Sequence, residues 1–398
     1  MDFLTSIGVL VLCGLLLGSI CKRLHLPSLV GMLIVGVILS PYALNLLSPN
    51  LLDISPDIRQ LALIIILTRA GLSFDLGELK KNGRSAIMLC FVPALFEIVG
   101  YIIFGSWLLD MPWKDAAIMG CVMAAVSPAV IVPRMLKLKE EGYGTDKGIP
   151  QMIMAGASAD DIFVIVLFTS LMALPTGKGF DLGILWKIPC SIILGIGVGL
   201  LFGWFFAKFF KKVHIRDSIK VVILICFSIL FIALQNLVED VVPFSGLLAV
   251  IAMSAIIYRN HSACAKRLSI KYNKLWLVAE VFLFVLVGAE VDVRFALKAG
   301  AMIVAVMALA MIFRLLGVWL CVIGTKLTVK ERLFCIIAYM PKATVQAAIG
   351  AIPLSMGLAC GQTVLTAAVI AILITAPIGA FLIDTLYMKL LAGNNSAV

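Results

Sequence analysis

The sequence predicts an all-α membrane protein of about 13 transmembrane helices, arranged as two inverted repeats that meet at a crossover of two broken helices. Three observations predict it. Of 398 residues, 62% are hydrophobic and 14% charged, with mean hydropathy +1.13; soluble domains run at about 45–50% apolar and about 25% charged. The apolar residues fall in blocks of about 18–25, the length of a helix that crosses the hydrocarbon core. The second half of the chain also repeats features of the first at a constant offset of 217 residues. No polar stretch is left for a soluble domain, so residues 1–398 are expected to form one integral membrane domain.

Apolar blocks between charged punctuation run roughly over 3–20, 27–47, 58–74, 85–109, 115–135, 149–174, 183–207, 217–238, 243–258, 272–291, 299–324, 330–352 and 361–388. The first is read as a spanning helix and not a secretory leader. Only Asp2 precedes it, no small-residue cleavage site follows, and Leu12 is too large for a lipoprotein box before Cys13. Connections after odd-numbered spans, together with the C-terminal end, carry 23 of the 32 Lys and Arg residues, and the other side carries 6. The positive-inside rule then puts the N-terminus outside and the C-terminus in the cytoplasm, with the cell inner membrane as the expected location. Topology thus accounts for the net charge of +10, and no nucleic-acid partner is implied. The ten cysteines form no C-x-x-C pair and read as small hydrophobes. His25, His214 and His261 fall in basic connecting segments and read as solvated loop residues.

The repeat aligns Gly71 with Gly288, Asp75 with Asp292, Lys81 with Lys298, Gly83 with Gly300, Phe96 with Phe313 and Gly100 with Gly317. Leu26-Pro27 opens span two as Val242-Pro243 opens span nine. Each pairing links span n to span n+7, and because seven is odd the second copy runs the opposite way. Residues 1–174 form the first repeat, 183–212 a linker helix and 216–390 the second repeat. Inverted repeats of this kind place substrate sites near the bilayer midplane, where the copies meet.

Chemistry concentrates there. Pro128 and Pro341 sit mid-span at corresponding places. A proline removes a backbone donor and clashes with the preceding turn, and in oil the freed carbonyls are satisfied only inside protein or beside a wet cavity. Asp160-Asp161 lies between apolar runs. An Asp at the centre of a spanning helix costs about 2.5–3.5 kcal/mol on insertion scales, and two in succession have no evident structural purpose. Neighbours on a helix point about 100° apart, so one acid faces an ion cavity while the other faces an adjoining helix. Carboxylate oxygens suit hard cations such as Na⁺ or Li⁺. Oil and a neighbouring like charge both disfavour the ionised carboxylate, so a proton and a metal ion compete for the same oxygens. The offset of 217 also carries Glu97 onto Arg314, which predicts an ion pair between repeats, with Asp160 also within reach of the guanidinium. Arg314 stays protonated and cannot carry an exchanged proton. Arg69 is expected to snorkel from a span end, Lys342 to neutralise a half-helix C-terminus, and Glu280 to be a further midplane charge.

These residues resemble the monovalent cation/proton antiporter superfamily, in particular the sodium/hydrogen exchanger branch called subfamily B and its bacterial relatives. The resemblance spans the whole chain. It rests on Thr68-Arg69-Ala70-Gly71-Leu72, Ala125-Val126-Ser127-Pro128-Ala129-Val130, Gly142-Tyr143-Gly144, Ala159-Asp160-Asp161-Ile162 and Pro341-Lys342-Ala343-Thr344-Val345-Gln346-Ala347-Ala348. It implies the Na⁺/H⁺ antiporter fold and a homodimer whose mobile core moves like an elevator beside a dimerisation domain. By the same resemblance Asp161 is the principal cation and proton ligand and Asp160 its helper. Ser127 and the carbonyls near Val126 complete the site, with Ala157 alongside. Pro128, Pro341, Lys342, Thr344 and Arg69 form the crossover and a second tier. Arg314 stands where electrogenic relatives keep a lysine, which leaves stoichiometry open; the expectation is electroneutral exchange. No nucleotide-binding domain is expected after span thirteen.

The sequence therefore points to exchange of Na⁺ or Li⁺ for protons by alternating access, with no cofactor and the lipid bilayer as surroundings. K⁺/H⁺ exchange is the alternative within the class. A sodium-coupled organic-anion symporter on a related fold is a second, and an ion channel a third. An enzyme is not indicated, because no metal-ligand cluster, phosphate loop or nucleophile–base set appears.

Overall fold

The computed structural model describes residues 2–73, 83–172, 182–213, 215–238 and 244–393. Asp75, Lys81, His214, Val242 and Pro243, used above, lie outside the described residues. The described chain is helical, apart from one isolated bridge between Tyr143 and Gly393. Its helices are α1 (Phe3–Arg23), α2 (Ser28–Leu39), α3 (Pro49–Asp53), α4 (Ser55–Leu72), α5 (Gly83–Leu89), α6 (Val92–Leu108), α7 (Trp113–Ala124), α8 (Pro128–Glu140) and α9 (Ile149–Met172). There follow α10 (Leu182–Lys212), α11 (Asp217–Val238), α12 (Gly246–Asn260), α13 (Ser262–Ala289), α14 (Val293–Val322), α15 (Val329–Ala338), α16 (Thr344–Ile349), α17 (Ile352–Ser355) and α18 (Gly361–Leu390). Among the described residues, nine helical stretches are long and apolar enough to cross a membrane. Their outer faces carry large apolar side chains such as Leu237, Leu297 and Trp107, each more than 70% exposed, as suits contact with lipid chains and not water.

Proline explains where several helices stop or start. The sequence reading runs one span over 85–109, but the chain breaks at Cys90–Phe91 and α6 restarts with Pro93 in its first turn, where a missing N–H costs nothing. The same rule places Pro128 at the start of α8, after an extended Ala125 and Ser127. The span read as 330–352 divides into α15, α16 and α17, with Pro341 in the first gap. Span ten begins earlier than the sequence suggests. Helix α13 starts at Ser262, because Lys266, Arg267, Lys271 and Lys274 occupy a polar first half that hydropathy excludes from a span.

The chain forms two compact units. The first comprises residues 1–59, 77–164 and 281–398 and holds both broken helices. Within it α6 packs along α14 in a reciprocal way. Gly100 lies against Ala310, while Gly317, which is 217 residues after Gly100, lies against Pro93, which is 217 residues before Ala310. Small residues let the two backbones approach closely. The second unit comprises residues 60–76 and 165–280. In it Gly199 and Gly203 of α10 seat the backbone of α12 around Ala249 and Met253, and Phe202, Phe206, Phe227 and Phe231 cluster between α10 and α11.

Gly36 on α2 abuts the Val285 carbonyl of α13, and Gly288 abuts the Leu33 carbonyl of α2. A Cβ at either position meets backbone, which cannot rotate away. Gly36→Ala is expected to lower the thermal unfolding midpoint in detergent, at an overpacking cost of about 1–3 kcal/mol.

Candidate ion-binding site at the helix crossover

The two interruptions face each other in the first unit. The Ser127 N–H donates to the Pro341 carbonyl at 2.8 Å, tying one break to the other. Where α7 ends, the carbonyls of Met123, Ala124 and Ala125 have lost their helical partners. Side chains from elsewhere supply donors. Lys342 Nζ reaches the Met123 carbonyl at 2.5 Å, Arg314 Nη1 reaches that of Ala124, and Gln346 Nε2 reaches that of Ala125 at 2.8 Å. Arg314 Nε donates to the Tyr339 carbonyl, at the end of α15, at 2.7 Å. Both half-helix C-termini therefore meet cations, which their partial negative charge favours. The Lys342 N–H, freed by the second break, donates to Thr375 Oγ1 of α18 at 3.0 Å.

Around these ends lies a chain of fully buried charges. Arg314 Nη1 is 2.9 Å from Glu97 Oε2, and its Nη2 is 3.2 Å from Asp160 Oδ2. Lys342 Nζ lies 2.6 and 2.8 Å from the two oxygens of the same Glu97. Asp160, Glu97, Arg314 and Lys342 are all 0% exposed. Buried charges persist only when paired and hydrogen-bonded, and the two acids and two cations balance. Asp160 Oδ2 also accepts from the Val126 N–H at 2.9 Å, which the extended backbone between α7 and α8 presents.

Asp161 stands outside this balanced set. It is 9% exposed, and its Oδ1 has no hydrogen-bond partner within the protein. Among the described residues, the buried oxygens without a hydrogen-bond partner also include Asp160 Oδ1, Ser127 Oγ and Thr344 Oγ1. These unpartnered oxygens belong to the α9 acid pair and to the two breaks. Ala157, one turn before Asp161 on α9, is fully buried. Arg69 belongs to the second unit, whereas the residues of the two breaks and the acid pair belong to the first.

Two features escaped the sequence reading. Lys342, expected at a half-helix C-terminus and in the second tier of the crossover, also grips Glu97 with its ammonium. Gln346, one turn further on, was named only as part of a motif. The spacing of Lys342 and Gln346 after a mid-span proline was the available signal.

A many-helix membrane protein with paired acids and unpartnered oxygens at crossed helix breaks is an ion transporter by class. The chain belongs to the sodium/hydrogen exchanger family. The family described as "Sodium/hydrogen exchanger, transmembrane" matches residues 7–389. Sodium/hydrogen exchanger 9B2 of Homo sapiens is 32% identical over 98% of this chain and 75% of its own length. Sodium/hydrogen exchanger 9B1 of Homo sapiens is 32% identical over 92% and 73%. The sodium proton antiporter MjNhaP1 from Methanocaldococcus jannaschii shares the fold, with TM-score 0.83 at 20% identity over 98% of this chain and 99% of that one. The protein is a multi-pass cation/proton antiporter.

Proposed function

We propose that this antiporter exchanges Na⁺ or Li⁺ for H⁺, one for one, by elevator-type alternating access. One observation carries the reading: Asp161 is the one acid of the crossover left over when Glu97 and Asp160 are matched by Arg314 and Lys342. A single monovalent cation or a single proton neutralises it, so each substitutes for the other without a change in net charge. Asp161 is the ligand that alternates between them. Asp160, held by Arg314 and the Val126 N–H, keeps its second oxygen for the ion. Ser127 Oγ, Thr344 Oγ1 and carbonyls around Val126 add neutral oxygens of the kind hard alkali cations take.

The proposal extends to architecture. The reciprocal Gly100–Ala310 and Gly317–Pro93 contacts are what two inverted copies related by a local two-fold predict. Thirteen spans, an outside N-terminus, a cytoplasmic C-terminus in the cell inner membrane, and a homodimer complete the reading.

Dissipation of a preset ΔpH in proteoliposomes tests it. Na⁺ and Li⁺ are expected to drive proton movement, with K⁺ weaker and the apparent KM for Na⁺ rising as pH falls, because protons compete for Asp161. The rate is expected not to change when valinomycin clamps the membrane at different potentials. Preference for K⁺ would reassign the substrate. A rate that scales with potential would make Lys342 a second proton carrier and end the one-for-one assignment.

A further inference from the structure

Three helices of the first unit meet the ion site along their length and one another at the end remote from it. Helix α8 leaves the first break at Pro128, α9 carries Asp160 and Asp161, and α18 backs the second break. That backing is close: Thr375 Oγ1 accepts from the Lys342 N–H at 3.0 Å, and Gly379 leaves room for the Pro341 ring. At the remote end the loop 141–148 joins α8 to α9 and holds Gly142-Tyr143-Gly144, a motif with no part in the ion site. Gly144, at φ +64°, donates its N–H to the Ala392 carbonyl just beyond α18 at 2.9 Å. Positive φ costs little there because glycine has no Cβ. Tyr143 meets Tyr387 of α18 edge to face, with ring centroids 5.0 Å apart. Arg134 of α8 grips Asp384 of α18 through Nε and Nη2, at 2.9 to 3.1 Å.

Helix α8 needs such an anchor. It opens on Pro128, and Pro133 within it has no N–H to give the Ala129 carbonyl. Its first turns adjoin Ser127 and the Val126 N–H that Asp160 accepts, so the part of α8 nearest the ion site is weakly held by its own backbone. Arg134 acts in two directions. Its Nη1 donates to the Val130 carbonyl at 2.9 Å while the rest of the fork holds Asp384. A forked guanidinium on a carboxylate fixes direction as well as distance. The two side chains are 19% and 43% exposed, and pairs so exposed add little to stability. The use of this pair is geometric. A helix of 13 residues carries a shift at Arg134 to Ser127, about 10 Å away at 1.5 Å per residue.

We propose that Arg134 and Asp384 are positioning residues for cation binding: with the Tyr143 and Gly144 contacts they clasp the far ends of α8 and α18, and so set where Ser127 Oγ stands against Asp160 and Asp161. The clasp supplies no ligand to the ion. The proposal rests on the ion-site reading above, in which Ser127 completes the oxygens around the cation. It governs how tightly the site holds its cargo, not how fast the site changes sides.

The test measures apparent KM for Na⁺, maximal exchange rate, and thermal unfolding with and without Na⁺. The variants are Arg134→Gln, Asp384→Asn and the exchanged pair Arg134→Asp/Asp384→Arg. Each single variant is expected to raise KM about fivefold with maximal rate within about twofold of wild type, the pattern of lost ground-state binding. Stabilisation by Na⁺ should fall with it, while unfolding without Na⁺ stays close to wild type because the pair is exposed. The exchanged pair is expected to regain most of the affinity. A purely structural clasp gives the opposite, easier unfolding without Na⁺ and an unchanged KM. That result, or single variants with wild-type KM, overturns the proposal. If single variants do not fold, the exchanged pair decides: folded with KM near wild type supports the clasp, while failure to fold or a raised KM overturns it. Ser127→Ala and Asp161→Asn run alongside. An active Asp161→Asn strikes the ion-site reading, whereas wild-type KM in the clasp variants beside a raised KM in Ser127→Ala strikes the clasp alone.

Discussion

Asp161→Asn is expected to abolish cation-driven proton movement in proteoliposomes, with a loss of about 100-fold or more, equivalent to about 3 kcal/mol. The amide has nearly the shape of the acid, so helix α9 should keep its packing and the variant should be purified in normal yield. What it loses is chemistry. A neutral amide takes up no exchangeable proton at working pH, and it offers a bound cation no compensating charge. Asp160→Asn is a useful contrast. Its amide oxygen still accepts from the Val126 N–H, so that variant is expected to retain measurable exchange at roughly one tenth of the wild-type rate. Wild-type ΔpH dissipation by Asp161→Asn would remove the site assignment, whatever Asp160→Asn does.

Arg314→Leu is expected to be the most destabilising single change at the crossover. The guanidinium serves four acceptors at once: Glu97, Asp160, and the carbonyls of Ala124 and Tyr339. Leucine serves none of them, and Asp160 is left charged in a site with no exposure. Removing one member of a buried ion pair costs about 3–5 kcal/mol, so the detergent-solubilised variant should unfold well below wild type in a thermal scan. Arg314→Leu combined with Glu97→Gln removes one charge of each sign. It is expected to recover part of the loss, with a coupling of about 1–3 kcal/mol in the double-mutant cycle. Strict additivity would mean that Glu97 and Arg314 do not depend on each other.

Much of this architecture is legible in the sequence because oil imposes hard constraints. A spanning helix must be long and apolar, a mid-span proline must free backbone groups, and an acid in the span must have a reason. Asp160, Asp161, Pro128 and Pro341 stand out for that cause alone. The match of Glu97 with Arg314 at an offset of 217 is legible for another cause: under the inverted repeat we propose, residues related by its two-fold axis lie close together when they sit near it. Arg59 was less legible. Close to the start of its span, it read as one more loop charge, and nothing local to it points to Glu290, 231 positions away.

By itself the sequence determined the membrane class, the approximate spans, the paired acids and the proline breaks, since each follows from residue type and spacing along one segment. Only the tertiary structure decided how the charges are apportioned. Lys342 could have faced its own helix end, a lipid headgroup or Asp160; folding set it on Glu97 and the Met123 carbonyl, and so left Asp161 as the unmatched acid. The physical reason is that Coulomb partners are chosen by distance in space within a low dielectric, and separation along the chain carries no record of that distance.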